Sequence, residues 1–173
     1  FLASMSHEIR TPMNAILGLT YLLERIALPG DAAEMVHRIR QAGRTLLSII
    51  NDILDFSKIE SGRLEIEKES FRLGDVLDNL STIMSANARE KDIELIIAMP
   101  PSRTSSLKGD ALRLEQILVN LTGNAIKFTE RGHVAVSISV IAETDTDVSL
   151  RFSVSDTGIG IPVEKQQEIF APF

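Results

Sequence analysis

The chain has 173 residues, 44% hydrophobic and 24% charged, with a formal net charge of -6 and no cysteine. That length fits one ordinary domain or two small ones, and the missing thiols exclude disulfides, thiolate nucleophiles and cysteine-bound zinc. Acids and bases are interspersed, so there is no broad basic face for nucleic acid, and the longest apolar runs, LLSII and ELIIAM, fall far short of the ~20 residues of a membrane span; no signal peptide is expected before them.

From Met5 the apolar residues Met5, Ile9, Met13, Ile16, Leu19, Leu23 and Ile26 fall at mixed spacings of three and four, which predicts a helix reaching about Ala27. Leu28, Pro29, Gly30 and Asp31 then supply a turn and a capping residue. In the second helix Met35, Ile39, Ala42, Leu46, Ile49, Ile53 and Phe56 make an unbroken heptad seam, widened by Leu47, Ile50 and Leu54. The short connection makes the two helices antiparallel neighbours. A lone hairpin leaves part of each stripe wet, whereas a dimeric four-helix bundle covers both.

The segment SKIESGRLEIEKESF breaks the heptad at Ser61 and Gly62, after which Leu64 and Ile66 alternate with charges like a half-buried strand. The domain boundary is placed there, giving residues 1–60 and 61–173. A helix from about Gly74 to Arg89 follows, then a strand over Ile93 to Ala98, a loop in PPSRTSSLKG, and a helix from an N-cap at Asp110 to about Phe128. Leu112, Ile117, Leu121 and Ile126 are among the apolar residues of that helix. Val134, Val136, Ile138 and Val140 alternate with small or polar residues, as do Val148, Leu150, Phe152 and Val154 across ETDTD, which predicts a hairpin. The tail VEKQQEIF reads as a last short helix. The fold class is therefore an all-α hairpin followed by an α+β domain with a mostly antiparallel sheet.

Three constellations carry chemistry. On a helix, His7 lies two positions from both Met5 and Ile9 and so points away from the stripe, with Glu8 beside it and Thr11 one turn on. Thr11 holds the place where a zinc site of the HExxH kind needs a second histidine, which removes that reading; a solvated histidine and a nucleophile both remain. Pro12 removes one backbone bond just beyond His7 and bends the helix there. Asn120 and Asn124 stand one turn apart with Lys127 three residues on, a ridge that is either an ordinary wet face or a Mg²⁺-polyphosphate site, since amide oxygens suit a hard cation and an ammonium neutralises phosphate. In SDTGIGIP, Asp156 precedes Gly158 and Gly160; a GxG of this kind marks a turn, or lets backbone approach a purine whose exocyclic amine the carboxylate accepts. The lysine of a P-loop and the GxGxxG of a dinucleotide fold are both missing.

SHEIRTPMNAI, the hairpin ending DFSKIESG, the Asn120 to Lys127 segment, DTGIGI and IFAPF resemble, in order, the H, N, G1 and F boxes of bacterial sensor histidine kinases, and the flanking residues look most like the hybrid type. The resemblance covers nearly the whole chain. It implies a dimerisation and histidine-phosphotransfer bundle over residues 1 to about 60, then a Bergerat-type (GHKL) ATP-binding sandwich, the fold also used by gyrase. It makes His7 the phosphoacceptor, Glu8 the neighbouring base, and Thr11 the holder of a water for dephosphorylating a partner's aspartate. ATP and Mg²⁺ are the implied cofactors: Asn124 ligates the metal, Asn120 supports metal and phosphates, Lys127 contacts phosphate, and Phe128 lies against the base. Asp156 reads the adenine amino group, Gly158 and Gly160 give the nucleotide room, and Phe170 and Phe173 belong to the F box. Implied partners are a second copy of the chain and a receiver domain, in the same chain or a response regulator; nucleic acid is not among them.

The family places an ATP lid and a second glycine-rich box after the F box, and the sequence stops before both, so the sandwich is expected to be C-terminally incomplete and the polypeptide as written to bind ATP weakly. The expected location is the cytoplasm, as the cytoplasmic portion of an inner-membrane sensor whose anchor would lie upstream. A degenerate kinase working by dimerisation and docking is the alternative, and a Bergerat ATPase of another kind is a third reading.

Overall fold

Pro12 does not end the first helix. In the computed structural model, which describes residues 2–98 and 106–168 with side chains from residue 8 onward, α1 runs Leu2–Leu23 with Pro12 inside it. The helix closes four residues short of the expected end, because Arg25 N donates to Leu22 O and Ile26 N to Leu23 O in tight i to i+3 bonds. Pro29 takes the N-cap position of α2 (Gly30–Glu60), so Asp31 is not the cap; its carboxylate sits in the first turn, where the helix dipole favours an anion. At the other end Gly62 adopts φ +64°, with Gly62 N donating to Ile59 O and Arg63 N to Lys58 O, a Schellman closure that needs a residue free to be left-handed. The chain divides into two units, Phe1–Glu65 and Ile66–Phe173.

Within the first unit the two helices meet along a face one position away from the heptad seam. The better covered residues are Ile9, Met13, Leu17 and Thr20 on α1 and Val36, Arg40, Gly43, Leu47, Ile50 and Leu54 on α2. Gly43 permits the close approach: a Cβ there would stand 3.0 Å from Leu17 Cδ2 and 3.2 Å from Met13 Cε. Glu24 pairs with Arg40 across the hairpin, and Arg10 Nη2 donates to Asn51 Oδ1 at 2.9 Å. The residues that widen the second stripe thus serve the hairpin itself. Met35, Ile39, Leu46, Ile49, Ile53 and Phe56 are left 43–64% exposed, far more apolar surface than a lone hairpin leaves on a stable monomer.

The second unit packs two helices, α3 (Leu73–Glu90) and α4 (Ala111–Phe128), on a mixed sheet of β2 (Ile93–Ile97), β4 (Gly132–Glu143) and β5 (Val148–Asp156), in the order β2-β4-β5. β4 and β5 form the expected antiparallel hairpin, with Val136 opposite Val154 and Val134 opposite Asp156. β2, however, runs parallel to β4, Leu95 opposite Val134, because α4 lies in the connection between them and carries the chain back across the sheet. Alternation buries Val134, Val136 and Ile138 against Leu77, Leu80 and Met84 of α3 and Leu118 and Ile126 of α4, leaving the sheet's other face more open.

A second, two-stranded sheet pairs β1 (Glu69–Arg72) with β3 (Ser106–Gly109), Phe71 opposite Leu107. Both differ from the sequence reading. Leu64 and Ile66 belong to no strand, and the last four residues of PPSRTSSLKG form one; residues 100–105 of that segment lie outside the described residues. In the tail VEKQQEIF, Val163–Lys165 form a 3₁₀ turn, and residues 169–170 lie outside the described residues. Asp110 caps α4 as its residue type foretold: Oδ1 accepts from Arg113 N at 2.9 Å, and Oδ2 from Glu67 N at 3.2 Å. No helix of the described residues is long and apolar enough to cross a membrane.

One core residue is out of keeping. Thr122 of α4 is fully buried and its hydroxyl has no hydrogen-bond partner. Thr122→Val removes that unpaired group while keeping the branched shape, and is expected to stabilise the unit by about 1 kcal/mol. A denaturant titration checks it, and a midpoint that falls would show that the hydroxyl is satisfied in solution.

Candidate functional site

Asp156 is the last residue of β5 and lies opposite Val134, so it shares the sheet face that α4 covers, with Val154 two residues before it. On α4 the spacing of Leu121, Asn124 and Phe128 puts these side chains on one ridge. Where that ridge overhangs the end of β5 a cleft of about 520 Å³ opens, lined by Asn124, Phe128, Val154, Asp156, Ile159 and Lys165 among others. Its walls are mostly apolar, with one amide, one carboxylate and one ammonium placed on them, the composition of a small-molecule site and the right size for a flat heterocycle.

The turn after β5 is built by glycine for two different reasons. At Gly158 the reason is space: a Cβ would stand 2.5 Å from the Phe128 carbonyl oxygen and 2.9 Å from Asp156 Oδ1. The room that Gly158 makes is therefore filled by the protein itself, which draws the turn onto the end of α4, where Ile159 N donates to Phe128 O at 3.4 Å. At Gly160 the reason is backbone: φ is +68° and nothing lies within 4 Å of a built Cβ. Gly158 N donates to Asp156 Oδ1 at 2.8 Å, which fixes the carboxylate. Oδ2 accepts no hydrogen bond among the described residues and is left for a ligand's donor.

Thr157 anchors the same turn from the other side. Its N donates to His133 O at 3.2 Å, its Oγ1 accepts from His133 N at 3.1 Å, and Gly132, at φ +117°, faces the hydroxyl so closely that a Cβ would collide with it. This clamp was not visible in sequence, and neither were Ile159 and Lys165 as cleft residues. Leu121 and Val154 could have been found, since each keeps helical or strand spacing with a residue already singled out.

The structure thus brings Asn124, Phe128, Asp156 and Gly160 together on one cleft and Gly158 directly beneath it. Lys127 lies at the edge, its Nζ 5.2 Å from the centroid of the Phe128 ring. Asn120 is exposed one turn before Asn124 and does not line the cleft. Glu8 and Thr11 are exposed on α1 in the other unit. Position 7 lies in α1, but the side chain of His7, like Phe170 and Phe173, is outside the described residues. Among the described residues no three His, Cys, Asp or Glu side chains gather to hold a divalent cation. An Asn124 amide oxygen on the cleft wall suits Mg²⁺ that takes its remaining ligands from phosphate and water, so the residues fit a metal arriving with a nucleotide rather than a resident one.

Residues 1–62 match the family model of the His Kinase A (phospho-acceptor) domain, and residues 109–173 that of the histidine kinase-, DNA gyrase B- and HSP90-like ATPase. The whole chain aligns with the signal transduction histidine-protein kinase BarA of Escherichia coli K12 at 40% identity and with hybrid signal transduction histidine kinase K of Dictyostelium discoideum at 42%, spanning 19% and 15% of their lengths. Among solved structures, full-length ShkA in complex with AMPPNP superposes over 98% of this chain and 36% of that one, with a TM-score of 0.72 and 37% identity.

Proposed function

We propose, from the premise that this chain belongs to the sensor histidine kinases, that it acts as their transmitter core, taking the γ-phosphoryl group of ATP onto His7 and passing it to an aspartate of a receiver domain. The observation that carries the reading is the cleft that unites Asn124 and Asp156, thirty-two positions apart in sequence, on one wall. Asp156 Oδ2 accepts the adenine amino group, and Phe128 and Ile159 offer apolar surface to the ring. Asn124, helped by Asn120, holds Mg²⁺, and Lys127 at the cleft edge meets phosphate. When bound, the metal neutralises phosphate charge at the reacting end of the nucleotide.

In the proposed reaction a neutral imidazole nitrogen of His7 attacks the γ-phosphorus. An N–P bond forms, the bond from γ-phosphorus to the bridging oxygen breaks, ADP leaves, and the second ring nitrogen gives its proton toward Glu8. In a separate hydrolytic reaction Thr11 holds a water that attacks the phosphorus on the partner's phosphorylated aspartate, releasing inorganic phosphate and the free carboxylate. Dimerisation through the exposed seam from Met35 to Phe56 is supported by the exposure of its apolar residues and by its heptad spacing, and puts two phosphoacceptor helices in one bundle.

The test uses the full-length protein with γ-labelled ATP. Acid-labile, base-stable phosphate is expected, and Asp156→Asn, which turns an acceptor partly into a donor against the adenine amine, is expected to weaken ATP binding by about 30-fold or more. Guanine nucleotides should gain relative to ATP in that variant. Unchanged ATP affinity in Asp156→Asn would sink the adenine assignment. Phosphate absent from the wild-type protein, with dimerisation intact, would favour a degenerate kinase that works by docking.

A further inference from the structure

Lys91 ends α3 as its C-cap residue, and the next residue, Asp92, turns the chain into β2 at φ +55°. From that corner its ammonium reaches the far end of α4. Nζ donates to Lys127 O at 2.7 Å, Ile126 O at 2.9 Å and Thr129 O at 3.4 Å. An ammonium has three donors, and here three carbonyls meet them. The Ile126 and Lys127 carbonyls belong to the last turn of α4, where no helical N–H follows to bond them, and the negative end of the helix dipole adds to the attraction.

The one carbonyl of this run that Lys91 does not take is that of Phe128, which instead accepts from Ile159 N. Lys91 therefore sorts four successive peptide groups, holding 126, 127 and 129 on one side and leaving 128 to face the glycine turn. Phe128 and Ile159 both line the cleft, and the Phe128 carbonyl is the atom that Gly158 is shaped to receive.

We propose that Lys91 is a positioning residue for the nucleotide cleft, acting through the carboxyl end of α4 on the Phe128 peptide and, through it, on the turn from Asp156 to Gly160. The inference rests on the nucleotide reading of the cleft. Lys91 touches no ligand itself: its three donors are met by backbone carbonyls, and Lys127 gives it only its carbonyl, keeping its own ammonium for phosphate. Without Lys91, water takes over the freed carbonyls, and the Phe128 peptide loses the constraint that sets its direction.

The experiment is autophosphorylation by the full-length kinase over a range of ATP concentrations, with Tm measured alongside, for wild type, Lys91→Met, Lys91→Gln, Lys91→Arg and Asp156→Asn. Lys91→Met is expected to raise KM for ATP about tenfold with kcat at saturating ATP changed less than about twofold, the loss of one charge-assisted contact set acting on binding. Lys91→Arg, whose fork can meet two or three carbonyls, should return KM to within about threefold of wild type, and Lys91→Gln should fall between. If Lys91→Met does not fold, the Gln and Arg variants carry the same ordering. Unchanged KM in Lys91→Met or Lys91→Gln beside a raised KM in Asp156→Asn overturns the inference and leaves the nucleotide reading standing. So does an Arg variant as impaired as Met with Tm falling in step, since that marks general support of the fold. If Asp156→Asn has wild-type KM, the nucleotide reading fails first and the inference falls with it.

Discussion

Replacing His7 by glutamine is expected to abolish phosphate incorporation from ATP into the full-length kinase, a loss of at least ~10³-fold, with dimer mass and ATP affinity unaltered. A neutral imidazole carries a nitrogen lone pair available for attack at physiological pH, its unperturbed pKa being ~6.5, whereas the nitrogen lone pair of an amide is delocalised into the carbonyl. Glutamine suits a helix better than histidine, so position 7 of α1 should keep its backbone. Glu8→Gln leaves the nucleophile and removes only the neighbouring proton acceptor, so its loss should be smaller, on the order of 10²-fold. The measurement is acid-labile label per protomer at saturating ATP. The chain offers two other histidines. His37 stands 3.8 Å from Glu24 near the turn of the hairpin, and His133 lies at the start of β4 with its backbone tied to Thr157. Wild-type labelling of the His7→Gln protein would move the acceptor away from His7, to one of these or to a residue outside the 173, and remove the reason for reading α1 as a phosphotransfer helix.

The sequence was most legible where local chemistry and long-range packing ask for the same residues. Asp110 caps α4 because a carboxylate ahead of a helix satisfies its first N–H groups whatever else surrounds it. The β4–β5 hairpin was readable because alternation alone specifies which face of each strand is buried. The helical hairpin was half legible. Its apolar width could be counted, but two adjacent stripes do not reveal which one meets the neighbouring helix, and Gly43 decides it by admitting Leu17 and Met13. Strand β3 was hidden in a serine-rich stretch because four residues gain their strand character from pairing with β1, not from their own pattern. The parallel pairing of β2 was missed for the same reason: crossover geometry, not composition, sets strand direction.

At the cleft, the order and spacing of Asn124, Phe128, Asp156 and Gly160 could be read, since each sits at a fixed phase of one helix or one strand end. What holds them together could not. Lys91 lies 35 positions before Ile126, and Thr157 lies 24 positions after His133, and neither stretch carries a period that links it to its partner.

Gly158 tests whether that hidden framework matters. In Gly158→Ala the new methyl would sit 2.5 Å from the Phe128 oxygen and 2.9 Å from its carbonyl carbon, both backbone atoms that cannot rotate aside as the end of a side chain could. Either the turn lifts off α4, breaking the bond from Ile159 N to Phe128 O, or the Phe128 peptide swings against the three carbonyls gripped by Lys91. Both routes open the cleft at its base and free Asp156 from the bond that orients it. The expected cost is about 2–3 kcal/mol of stability, the scale of overpacking, and a loss of ATP affinity of about 100-fold or more, some 2.7 kcal/mol. Gly160→Ala is the matched comparison, because its methyl meets open space and the variant has only the left-handed backbone to oppose it, costing about 1 kcal/mol. Calorimetric titration with ATP and a thermal melt of the two full-length variants separate these effects. Equal affinities for Gly158→Ala and Gly160→Ala would mean that backbone freedom alone sets the turn and that its contact with α4 has no bearing on nucleotide binding.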